Sequence, residues 1–169
     1  MARVYLGVGS NIDRERYITA GLDALTELFG DMDISPVYDS EAIGFEGQPF
    51  LNLVVGVDTD LTLAELAKQL RDIEFEHGRP ENATRFSSRQ LDIDILLYDD
   101  LVGVIDGVEL PRGEILENAF VLRPLADLVP EERHPERKQT YLELLDSLDT
   151  SGQSLAKVAF MWRGRPLGG

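Results

Sequence analysis

The chain has 169 residues, 43% of them hydrophobic, which is enough for one globular domain over 1–169 with a substantial core. A formal net charge of −15 argues against non-specific binding to nucleic acid or to an anionic membrane, while leaving local binding of a nucleotide open. The absence of cysteine removes disulfides and thiolate metal sites, and no apolar run approaches a membrane span, so a cytoplasmic location is expected.

Residues 3–9, RVYLGVG, are apolar and partly β-branched, the pattern of a buried strand and not of a leader. Gly9, Ser10 and Asn11 read as a tight turn with a structural rather than a ligand-binding purpose. Gly7-x-Gly9 lacks the third glycine of a dinucleotide fingerprint, no Gly-Lys pair exists for a Walker loop, and Ser10 lacks the trailing glycine of a nucleophile elbow. An amphipathic helix is expected over 14–29, with Tyr17, Leu22, Leu25 and Leu28 inward and Gly30 ending it. A second strand follows over 32–40, then a glycine-containing loop, then a third strand over 50–58. Asn52 is conspicuous in that apolar strand, because a buried amide must find partners, whether backbone or ligand. Thr62 and Glu65 form a capping box that opens a helix to about residue 76, striped by Leu63, Leu66, Leu70 and Ile73 and stopped by Gly78.

Residues 78–100, GRPENATRFSSRQLDIDILLYDD, join a basic loop to a strand. Glu74 lies just ahead of the loop, and Arg79, Arg85 and Arg89 lie within it. In an extended chain alternate side chains share a face, so Leu91, Ile93, Ile95 and Leu97 fall on one side and Asp92, Asp94, Leu96 and Tyr98 on the other. Two adjacent carboxylates repel unless water or a cation stands between them. One or two carboxylates completed by phosphate oxygens and water is the ligand set Mg²⁺ prefers, and arginine forks match phosphate oxygens. The same alternation also serves to solvate an edge strand. Beyond it a hairpin is expected over 101–110, turned at Asp106-Gly107. A polar loop or short helical turn follows over 111–118, then an apolar segment over 120–128 interrupted by Pro124. A charged exposed link covers 131–138, a helix 141–148 and a final strand 155–162. His77 and His134 are too few and too far apart to indicate a metal site. The order strand, helix, strand, strand, helix, strand is that of an α+β, ferredoxin-like plan: helices layered on one face of an antiparallel sheet, with C-terminal additions.

These pieces resemble the 6-hydroxymethyl-7,8-dihydropterin pyrophosphokinase family. The resemblance is carried by YLGVGSN (5–11), QPFLN (48–52), Ile73-Glu74 leading to Gly78-Arg79, RQLDIDILLY (89–98) and FVLRPL (120–125). It implies transfer of the diphosphate of ATP to the pterin hydroxymethyl group, giving AMP, with two Mg²⁺ ions held by Asp92 and Asp94. By position, Arg79 and Arg89 join the aspartates as catalytic residues, and Glu74, Arg85, Ile95 and Arg112 join those arginines around ATP. Phe50 and Phe120 would sandwich the pterin, while Asn52, Ser40 and Ile43 would read its polar edge. The partners implied are these small molecules, with neither nucleic acid nor membrane, and a monomer is expected. The chain departs from the family pattern at Glu81, Phe86, Ser87-Ser88, Arg112 and Asn118, positions that concern ATP and loop closure more than pterin or metal. An alternative is therefore a paralogue that binds a pterin-like ligand with weak or altered nucleotide use. A non-enzymatic ferredoxin-like module would need the aspartates to be mere surface.

Overall fold

The computed structural model describes residues 1–40, 49–77, 90–149 and 155–167. β1 (Ala2–Ser10) lies in an antiparallel sheet between β4 (Phe50–Thr59), its central strand, and β5 (Asp92–Tyr98), its edge strand among the described residues. Beyond β4 come β2 (Asp33–Ile34) and β3 (Val37–Ser40), and β8 (Leu155–Val158) pairs with the outer edge of β3. The expected second strand is thus split. Pro36 has no N–H for a ladder, and Ser35 fills the break by taking the Val54 N–H on its Oγ at 2.8 Å.

Helices α1 (Arg14–Phe29) and α2 (Leu63–Glu76) cover one face, as the sequence pattern requires. Ile18, Leu22 and Leu25 of α1, and Leu66, Leu70 and Ile73 of α2, meet Val4, Leu6, Val8, Leu53 and Val55 of the central strands. Each such side chain removed from water contributes about 1.5–3 kcal/mol. α2 starts at its capping box, Thr62 Oγ1 accepting from Glu65 N at 3.2 Å and Glu65 Oε1 from Thr62 N at 3.0 Å. α1 ends as the Gly30 N–H donates to Thr26 O at 2.8 Å.

The opposite face is covered too, by α3 (Ala119–Leu128) and α4 (Tyr141–Ser147). Here Pro124 does not interrupt the apolar segment as expected. α3 runs through Pro124, because burial of Ala119, Val121, Leu122, Leu125 and Ala126 outweighs the hydrogen bond a proline forfeits. The hairpin β6 (Gly103–Ile105) and β7 (Val108–Leu110) turns at Asp106 and Gly107, both at positive φ, as Asp-Gly predicts. The last expected strand stops at Val158, and β9 (Met161–Trp162) and β10 (Arg165–Pro166) form a separate hairpin. Trp162 Nε1 and Arg163 Nε both donate to Asp23 Oδ1 at 3.0 Å, which ties that hairpin to α1. Residues 131–138 are mostly exposed, as expected, but His134 is buried among them. Its Nδ1 accepts from the N–H groups of Glu136 and Arg137, each at 3.1 Å. No helix among the described residues is long and apolar enough to cross a membrane.

Candidate active site

Asp92, Asp94, Asn52, Ser40 and Phe50 share the sheet face opposite α1 and α2. Along β5, Ile93 and Ile95 enter the α1/α2 core, so Asp92 and Asp94 face the other way. A bulge then breaks the alternation: Leu6 faces Ile95, but Tyr5 faces Leu97, and Leu96 is the extra residue. Leu96 and Leu97 consequently both pack under α3, and Tyr98 turns to the α1/α2 side. This corrects the strict alternation expected for the end of the strand. The aspartates, upstream of the bulge, keep their predicted face.

Register places the site's two halves in one row. Gly9 on β1 pairs with Asp92 on one side and with Asn52 on the other. Two strand spacings separate Asp92 from Asn52, about 10 Å between backbones. The floor between them carries no side chain: a Cβ at Gly9 would stand 2.8 Å from Asn52 Oδ1 and 3.5 Å from the Phe50 ring. Gly9 is therefore a strand residue whose missing side chain opens the cleft, and not part of a turn. A glycine inside an apolar strand is itself a sign of such close approach. Asn52 donates from Nδ2 to Ser40 Oγ at 2.9 Å, and both are nearly buried. Phe50, opposite Ser40 in the ladder, is half-buried at the mouth. Phe120, second residue of α3, packs partly buried against the core beneath that helix. Tyr38 hydroxyl bonds to Asp127 and so ties β3 to α3; Arg123 stacks over the same ring at 5.9 Å.

The aspartate half is electrostatically unsatisfied. Asp94 is pushed up to about 8, first because the cleft strips it of water and then because Asp92 lies beside it. Arg112 partly relieves it, with Nη2 at 3.7 Å from Asp94 Oδ1. Burial pulls the Arg112 guanidinium down, but Asp94 and Glu114 more than offset this, and its pKa is raised. Arg112 is held in place by its own N–H, which donates to Leu96 O at 3.0 Å. Glu114, in the short 3-10 turn Gly113–Leu116, accepts from Arg112 Nε at 2.9 Å.

A carboxylate that resists ionisation next to a second carboxylate is the local signature of a site that gains from a divalent cation. Among the described residues no group of three or more His, Cys, Asp or Glu side chains is arranged to hold a metal. Two carboxylates fit a hard ion that takes its remaining oxygens from phosphate and water. Glu74 is buried and accepts the Ile93 N–H on Oε2 at 2.8 Å, pinning the outer edge of β5 between the aspartates. The Ile95 side chain lies on the α1/α2 face, away from the aspartates. Because the Ile93 N–H points outward to Glu74, the backbone groups of Ile95 point to the same outer edge by alternation. Ile43, Arg79, Arg85 and Arg89 lie outside the described residues, as do Glu81, Phe86 and Ser87-Ser88. Sequence reasoning missed Gly9, Tyr38 with Asp127, and Glu114; the first left a signal in the chain.

Comparison with known proteins shows the family. The family model described as 7,8-dihydro-6-hydroxymethylpterin-pyrophosphokinase matches residues 5–130. The chain is 40% identical over 137 residues to the 2-amino-4-hydroxy-6-hydroxymethyldihydropteridine pyrophosphokinase of Aquifex aeolicus, covering 80% of this chain and 85% of that protein. It is 39% identical over 138 residues to the protein of the same name from Pseudomonas aeruginosa, again covering 79% and 85%. Among solved structures, Plasmodium falciparum HPPK-DHPS superposes with a TM-score of 0.64 at 16% identity, over 86% of this chain and 43% of that longer one, a likeness of fold. The match over three quarters of the sequence and the close relatives agree: the chain belongs to the 7,8-dihydro-6-hydroxymethylpterin-pyrophosphokinase family, diphosphotransferases of folate biosynthesis.

Proposed function

We propose that the protein transfers the diphosphate of ATP to the hydroxymethyl oxygen of 6-hydroxymethyl-7,8-dihydropterin, with Mg²⁺ held by Asp92 and Asp94. The observation that carries this reading is the single row Asp92–Gly9–Asn52, which sets a carboxylate pair beside an amide across a floor without a side chain. On the β4 side, Asn52 and Ser40 offer a fixed donor–acceptor edge to a flat heterocycle, and Phe50 and Phe120 offer its faces ring contact. The distance across β1 then brings a short substituent of that ring toward the aspartates. The new bond joins the hydroxymethyl oxygen to the β-phosphorus, the bond from that phosphorus to the α-phosphate bridge breaks, AMP leaves, and the hydroxyl proton is released.

Little covalent work falls to the protein in such a transfer; positioning and charge neutralisation supply the catalysis. Bound Mg²⁺ would neutralise phosphate oxygens and acidify the attacking hydroxyl. Arg112 contributes a fixed cation on the β5 side. Arg79, Arg85 and Arg89 are assigned the phosphates on sequence grounds, and Glu74 with the outer backbone edge at Ile95 the nucleoside. The test is formation of AMP from ATP in the presence of the hydroxymethyl-dihydropterin and Mg²⁺. No AMP at saturating concentrations of all three would rule the reading out.

A second reading has its own support. Arg112 already engages Glu114 and Asp94, and Asn118 offers ATP no charge. A pterin-binding paralogue with weak nucleotide use would show calorimetric binding of the pterin but none of a non-hydrolysable ATP analogue.

A further inference from the structure

The position of Arg112 is governed less by Asp94 than by Glu114. Glu114 Oε1 lies 2.9 Å from Arg112 Nε and 2.7 Å from Nη2, so one carboxylate oxygen occupies the Nε–Nη2 edge of the fork. The other oxygen, Oε2, accepts from Asn118 Nδ2 at 3.4 Å. Asp94 Oδ1 stands 3.7 Å from Nη2, near enough to attract the charge but beyond hydrogen-bond length. A guanidinium grips a carboxylate most tightly through two parallel N–H groups on one edge. With its Nε–Nη2 edge held by Glu114, Arg112 can meet Asp94 only through the end of its fork, and at 3.7 Å it stops short of doing so.

We propose that Glu114 is a positioning residue, a role that rests on the diphosphotransferase reading of the cleft. It holds Arg112 beside Asp94 while preventing the guanidinium from closing on that carboxylate. Asp94 thereby stays open to a divalent cation, and Nη1 of Arg112, which Glu114 does not engage, is left for an incoming phosphate. Without Glu114, the nearest anion able to take the whole fork is Asp94. The arginine would then compete with the ion for the same oxygens.

The experiment measures Mn²⁺ binding by electron paramagnetic resonance, and α,β-methylene-ATP binding by calorimetry, in four proteins: the wild type, Glu114→Ala, Arg112→Ala and the double variant. Glu114→Ala is expected to weaken Mn²⁺ binding about tenfold, the equivalent of one charge-assisted hydrogen bond. In the Arg112→Ala background the same change should shift Mn²⁺ affinity less than about twofold, since the competing cation is gone. Arg112→Ala alone should move the two ligands in opposite directions, Mn²⁺ tighter and the nucleotide analogue weaker. If the Glu114 effect persists undiminished without Arg112, it is a through-space loss of negative charge and the positioning role is overturned. Should Glu114→Ala fail to fold, Arg112→Ala still decides: a change of the same sign for both ligands overturns the proposal. A wild-type protein that binds neither Mn²⁺ nor the analogue removes the parent reading, and this one with it.

Discussion

On one side of Gly9, Asp94 and Glu114 meet the guanidinium of Arg112 with Asp92 alongside; on the other, an amide donates to a hydroxyl and neither carries a charge. On the β4 side, the bond from Asn52 to Ser40 is made before any ligand arrives, so the orientation of the amide is set in folding. The β5 half is left in deficit: Asp94 is desolvated beside Asp92, and Arg112 reaches it only at 3.7 Å. A neutral, oriented edge suits recognition of a heterocycle by shape and hydrogen bonding. An excess of negative charge suits the capture of cations, and through them a polyanion. The two halves teach that one sheet can hold a rigid recognition surface and an electrostatically poised one, separated by a single glycine.

The largest effect expected from breaking this contrast is at Asp94. Asp94→Ala should lower turnover by about 10²- to 10³-fold, the range typical for loss of a principal charge-stabilising group. Pterin affinity should change little, and single-turnover AMP formation with parallel calorimetry checks both. Next comes Gly9→Ala, whose Cβ would meet Asn52 Oδ1 at 2.8 Å. Pterin affinity should fall about tenfold or more as the amide is displaced, since about 1.4 kcal/mol suffices for that factor. Mn²⁺ binding should persist; equal loss of both would show that the halves are not independent.

The third prediction concerns pH. Asp94 has its folded pKa raised to about 8, so in the metal-free protein its contribution to stability is fully present below the unfolded carboxylate pKa of about 4 and is lost as pH rises toward 8. Asp94→Asn should therefore melt higher than wild type at pH 8 by a few degrees, and no higher at pH 4, with each kcal/mol worth about 2–4 °C. Mg²⁺ should narrow the difference at pH 8. Two smaller effects fall outside the cleft row. Tyr38→Phe loses the bond to Asp127 that ties β3 to α3 and should cost about 1 kcal/mol by denaturant titration. His134 has its pKa lowered by burial, so its contribution is present above about 6.5 and lost as pH falls through the folded value. His134→Ala should remove that acid-side slope from the melting curve.

Much of this was legible along the chain. The helices at 14–29 and 63–76, the capping box at Thr62 and Glu65 and the Asp106-Gly107 turn follow from local patterns and appear where expected. Asp92, Asp94 and Asn52 were identifiable as polar residues on strands that otherwise bury their side chains. What escaped were long-range matters. Pro124 argued against a helix that burial nonetheless forms, and Gly9 read as a turn because its emptiness has meaning only beside Asn52. Glu114 pairs with near neighbours, Arg112 and Asn118, but its bearing on the site depends on how Arg112 docks against Leu96 of β5.

Local periodicity and capping chemistry are short-range forces, written into consecutive residues, and they sufficed to specify the strands, the helices and the polar residues worth watching. Which of those residues would meet depended on strand register, a bulge at Leu96 and the seating of α3 over the second face. These arise from packing between segments far apart in the chain, where each contact is weak alone and only the assembled sheet selects among them.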